Sequence, residues 1–101
     1  MDYLDKLKCT IERSERCKAV HVQTVPVIEV FRGQTAWEGD VEVFELTGHV
    51  KAEKCYAWGY PKRTGYGLEI VTVLEIPPVD SPQTAVKAAI VAEAKSKLRA
   101  R

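Results

Sequence analysis

The sequence predicts an α+β fold in which one helix precedes, and another follows, a four-stranded antiparallel sheet. Three observations carry this. Between residues 20 and 76, four runs either alternate apolar with polar residues or are dense in β-branched ones, and short glycine-bearing segments separate them. Apolar residues at helical spacing occupy both ends of the chain. A double proline, Pro77-Pro78, divides the last strand-like run from the last helix-like one.

Residues 2–13 read as a helix because Leu4, Leu7 and Ile11 recur at helical spacing and Asp2 suits a cap. Residues 20–31, VHVQTVPVIEVF, read as a strand. Val20, Val22, Ile28 and Val30 lie in one phase, and His21, Gln23 and Glu29 in the other. Pro26 has no N–H for a ladder, which places this strand at an edge or at a bulge. After the turn Arg32-Gly33-Gln34, residues 35–46 alternate Trp37, Val41 and Val43 with Glu38, Asp40 and Glu42. A turn around Gly48 leads to a third strand, 52–60, and a glycine-bearing loop, 61–67, leads to a fourth, 68–76. The fourth, LEIVTVLEI, is rich in β-branched residues and free of breakers, which favours a central position. Ser81-Pro82 starts the last helix, 82–98, with Val86, Ile90, Ala94 and Leu98 along one face. The cations Lys95, Lys97, Arg99 and Arg101 suit its C-terminal dipole.

Pairing the strands on paper sets Leu46 opposite Ala52, Val43 opposite Cys55 and Tyr60 opposite Leu68. One face then carries Val41, Val43, Cys55, Ala57, Val71 and Val73, small enough for both helices to pack on it. The other carries Phe44, Tyr56, Trp58, Tyr60, Leu68, Ile70 and Leu74, bordered by Asp40 and Glu42. Several large aromatics side by side exceed what a monomer usually leaves in water. This second face is therefore expected to form a homodimer interface or to line a pocket.

The totals narrow the function. A chain of 101 residues is one domain by length. Its 46% hydrophobic and 29% charged residues are globular values, and a net charge of +1 gives no global attraction to nucleic acid or to an anionic membrane. Three cysteines make no disulfide framework and read as free thiols in a reducing cytoplasm. MDYLDKLK lacks the apolar core of a signal peptide, and no apolar run approaches the roughly 20 residues that span a bilayer. No cofactor motif stands out.

The chemistry-bearing residues admit both functional and structural readings. His49 and Cys55 form a candidate base and nucleophile, but on extended chain they stand too far apart, and the expectation is a turn histidine and a buried thiol. Cys9, Cys17, His21, His49 and Cys55 do not reproduce paired zinc spacings, so no metal is expected. Glu38, Asp40, Glu42 and Glu45 make a carboxylate row of the kind that faces water, yet beside Tyr56 and Trp58 it also suits a cationic ligand. Lys62 and Arg63, between Tyr60 and Tyr66, are candidate anion-binding residues on a loop that otherwise reads as a solvated tip.

The stretches WEGDVEVFELTGHVKAEKCYAW and IPPVDSPQTAVKAAI resemble a small family of uncharacterised bacterial proteins over roughly residues 20–92, some carried on mobile gene cassettes. The resemblance implies no catalytic or binding residue. The element order is similar to that of the double-stranded-RNA-binding domain, but here four strands precede the last helix, and that helix lacks an opening lysine cluster. The order is also loosely similar to the cystatin-like fold, an analogy silent on function. The sequence thus points to a cytoplasmic homodimeric interaction or ligand-binding module rather than an enzyme. The alternatives are a nucleic-acid binder using Lys62, Arg63 and the last helix, and an enzyme using Cys55 or Glu38, Asp40 and Glu42.

Overall fold

A computed structural model describes residues 2–99, with side chains in the last helix described up to Ser96. The Lys97, Leu98 and Arg99 side chains and Arg101, all expected on that helix, lie outside the described residues. The order is α1 (Tyr3–Glu15), β1 (Lys18–Phe31), β2 (Gln34–Thr47), β3 (Lys54–Pro61), β4 (Leu68–Leu74) and α2 (Pro82–Arg99). The strands form one antiparallel sheet in the order β1-β2-β3-β4. Each short connection makes consecutive strands neighbours. The strand expected centrally, β4, is therefore an edge, and β1 is the other.

Local chemistry accounts for the boundaries. Asp2 Oδ1 accepts the Asp5 N–H at 2.8 Å and starts α1, and Arg16, at φ 53°, turns the chain out of it. Arg32 and Gly33, both at positive φ, make the two-residue turn whose twist matches a hairpin. Ser81 Oγ accepts the Thr84 N–H, and Thr84 Oγ1 accepts the Ser81 N–H in return, which caps α2 at both positions.

The register differs by one residue from the paper pairing in both of the later hairpins. Val43 faces Tyr56, not Cys55, and Leu68 faces Pro61, not Tyr60. The loops decide this. His49 Nδ1 accepts the N–H groups of Lys51 and Ala52, drawing Ala52 into the turn, so that Leu46 N–H pairs with Glu53. In the next loop, Lys62 N–H closes on Gly67 O. A slip of one residue exchanges the faces of a strand.

The two helices consequently lie on opposite faces, not on one. Tyr56 and Trp58 share a face with Val41, Val43, Val71 and Val73, and α2 covers it with Ala85, Val86, Ala89 and Ile90. Cys55 and Ala57 share the other face with Phe44, Ile70 and Leu74, and α1 covers it with Leu7 and Ile11. A sheet apolar on both sides is satisfied by one helix per side. The surplus that suggested an external cover is thus largely absorbed within the chain. Ala94 does not share in this, since α2 is exposed from Val91 to Ser96.

The edge strand β1 departs from its expected phase. Val22 is an extra residue against β2, and the resulting bulge reverses the alternation. Val20, Val22, Ile28 and Val30 are exposed, while Ala19 and Val27 are buried. The open edge of β1 is blunted midway. Gln83 Nε2 donates to Ile28 O at 3.1 Å, which marks the even positions as pointing outward, and Pro26 at one of them has no N–H to offer.

Candidate functional site

The ladder between β2 and β3 is short. It runs from Glu45 opposite Lys54 to Glu42 opposite Ala57 and ends there. Beyond it, β2 stays with β1, and Trp58 to Pro61 pair only with β4. The sheet forks. Continued pairing would have given the Gly59 N–H to the Asp40 carbonyl. The Tyr3 hydroxyl accepts it instead, at 2.8 Å. A cleft of about 1140 Å³ occupies the fork and reaches both faces of the sheet.

The two mouths differ chemically. On the α2 side, Trp37 and Trp58 meet edge to face with centroids 5.3 Å apart, and Val86, Ala89 and Ile90 complete an apolar wall. On the α1 side, alternation along β2 delivers Glu38, Asp40 and Glu42 together, beside Tyr3. Burial raises the Tyr3 phenol above its ordinary value, the Gly59 N–H opposes this, and the charges of Glu42 and Asp40 add to the rise. Tyr60, Arg63 and Glu93 line the rim.

Glu42 is the innermost carboxylate, 5% exposed. Its Oε1 accepts from His21 Nε2 at 2.9 Å and from the Thr24 hydroxyl. The His21 ring packs edge-on against Phe44, 5.3 Å between centroids. The β1 bulge at Val22 makes this grouping possible, because it returns Thr24 to the face that His21 already occupies.

Six residues nominated from sequence meet in the cleft: Glu38, Asp40, Glu42, Trp58, Tyr60 and Arg63. The others do not. Phe44 is fully buried under α1, Tyr56 is buried under α2 with its hydroxyl donating to Glu75, and Ile70 packs with the α1 cluster. Leu68 is half-buried at the start of β4, and Lys62 closes its loop through its backbone. Phe44 and Tyr56 are therefore core residues, and the face holding Tyr56 and Trp58 is α2's seat and not an open dimer surface. Sequence reasoning missed Tyr3, Trp37, His21 and Thr24 as parts of one site. The Trp37 and Trp58 pair, on neighbouring strands among carboxylates, was the available signal.

The rejected catalytic pair is well separated in role. His49 Nε2 meets Glu15 Oε1 at 3.1 Å while Nδ1 holds the loop, so its partners are Glu15, Lys51 and Ala52. Cys55 is wholly buried, and burial first, then Glu15, pushes its thiol up to about 12. Among the described residues, no three His, Cys, Asp or Glu side chains are grouped to hold a metal ion, and no helix is long and apolar enough to cross a membrane. Comparison with protein-family models, curated proteins and solved structures finds no match.

Proposed function

We propose that the protein is a small-molecule-binding module whose site is the cleft in the forked sheet. The observation that carries this is the fork itself. A sheet that gives up half a ladder exposes backbone and aromatic surface that pairing would have covered, and concave, partly apolar sites with a few polar groups are where small ligands bind. The three free thiols suit a reducing compartment such as the cytoplasm. Neither His49 nor Cys55 is arranged for nucleophilic chemistry, which favours binding over catalysis. Of the exposed loop cations Lys62 and Arg63, only Arg63 lines the cleft, where it stands among carboxylates, a setting that suits a nucleic-acid backbone poorly.

The test is a fragment screen by ligand-observed NMR on the wild type and on Ala92→Trp. Ala92 is an exposed α2 residue on the cleft wall, so the indole fills the cleft without disturbing the core. Binders lost in Ala92→Trp support the reading. A library in which no hit distinguishes the two proteins overturns it.

A second reading, self-association, has its own observation. The β4 edge, LEIVTVL, carries no proline, glycine or bulge, unlike the blunted β1 edge. A second copy paired antiparallel about Val71 would set Glu69 opposite Val73 and keep the two Glu69 carboxylates apart. Light scattering of the wild type and Thr72→Pro tests it: a dimer that the proline splits supports it, and a wild-type monomer at high concentration removes it.

A further inference from the structure

We infer that the cleft takes an organic cation with a flat apolar body, of the arylalkylammonium type; this rests on the cleft being a binding site. The two mouths impose it. The carboxylates project from the α1 face of β2, while Trp37 and Trp58 stand on the α2 face. A ligand threaded through the fork therefore meets anionic groups at one end and indole and aliphatic surface at the other.

Glu42 is the anchor. A buried carboxylate is costly unless its oxygens are satisfied. Oε1 is satisfied by His21 and Thr24, whereas Oε2 has no partner among the described residues. No described side-chain nitrogen or oxygen is both fully buried and unpartnered, so Oε2 retains an opening, and the cleft is what Glu42 lines. An ammonium group there gains a charge-assisted hydrogen bond in a partly desolvated setting. Asp40 and Glu38 extend the negative potential outward along β2. Arg63 is the only cation among the described lining residues, and it sits at the rim. The rings of Tyr3, Trp37 and Tyr60 are partly exposed along this lining, and the buried Trp58 meets Trp37 edge to face; aromatic faces attract a cation as well as an apolar ring. A carboxylate row facing bulk water would have no buried member and no aromatic walls.

A matched series decides the matter: phenethylammonium, 2-phenylethanol and 3-phenylpropionate, titrated calorimetrically into the wild type, Glu42→Gln, Asp40→Asn and Ala92→Trp. Glu42→Gln keeps an acceptor for His21 and Thr24, and a melting curve reports whether it is folded. Phenethylammonium is expected to bind about tenfold tighter than the alcohol, to lose that advantage in Glu42→Gln and to be excluded by Ala92→Trp. Added salt should weaken the cation and leave the alcohol unchanged. Equal or tighter binding of the alcohol or of phenylpropionate, sensitive to Ala92→Trp, would overturn the cation assignment while sustaining the cleft. Asp40→Asn, on a less buried residue, gives an independent reading should Glu42→Gln misfold; no loss of cation affinity in either variant overturns the assignment. Absence of binding by all three probes counts against both.

Discussion

The Tyr3 hydroxyl accepts the Gly59 N–H at 2.8 Å, across 56 residues of sequence. One side chain from the first turn of α1 thus occupies the place where β2 would have continued its ladder with β3. The fork, and with it the cleft, depends on what replaces that missing carbonyl.

Tyr3→Phe removes the acceptor and leaves the ring. The Gly59 amide should then exchange with solvent at least several-fold faster, and unfolding in urea should show a loss of about 1 kcal/mol. Unchanged exchange at Gly59 would mean that Tyr3 only shields the fork.

His49 organises the loop that sets the β2–β3 register. His49→Ala leaves the Lys51 and Ala52 N–H groups without their acceptor and Glu15 without its contact. The expected cost is about 1–3 kcal/mol, with amide shifts concentrated at residues 46–54. Shifts confined to α1 would assign the loop's shape to its backbone alone.

The Cys55 thiol provides a pH test. Its value is about 12 in the folded chain against 9.0 ordinarily, so folding retains a proton that the unfolded chain releases. The stabilisation is intact below pH 9 and declines as the pH climbs from 9 towards 12. Urea midpoints should fall over that interval, and less steeply in Cys55→Ala. Because burial holds the native thiol protonated and out of reach, Cys55 should label far more slowly than the partly exposed Cys9 until urea is added. Rapid native labelling of Cys55 would contradict its burial.

The β1 edge is guarded by Pro26 and by Gln83 on the Ile28 carbonyl. The double variant Pro26→Val, Gln83→Ala restores an open edge beside the exposed Ile28 and Val30. It should self-associate with rising concentration while the single-site control Gln34→Ala does not. Sedimentation that shows no concentration dependence would leave the edge protected by other means, such as its twist.

Element type and order were legible because each run has a clear period and clear stops, as at Pro77-Pro78 and Ser81-Pro82. The register was not, because Ala52 is an ordinary strand residue until His49 captures its N–H. That one residue moved Tyr56 and Trp58 beneath α2 and Cys55 beneath α1. The phase of β1 was equally hidden, since nothing in VHVQ announces a bulge at Val22. Half of the cleft was visible as carboxylates and aromatics on adjacent strands. Trp37, in phase with Val41 and Val43 beside those carboxylates, was a signal left unused, whereas Tyr3 entered the cleft through tertiary placement that no local pattern encodes.

The most direct test of the cleft is a ¹H–¹⁵N NMR titration with phenethylammonium. Saturable shifts are expected at the Trp37 and Trp58 indole N–H groups and at the Asp40, Gly59 and Ala89 amides, with the β1–β2 turn and the Tyr66 loop tip unmoved. Shifts clustered at the exposed Phe31 or Tyr66, or none at the two indoles, would contradict binding in the cleft.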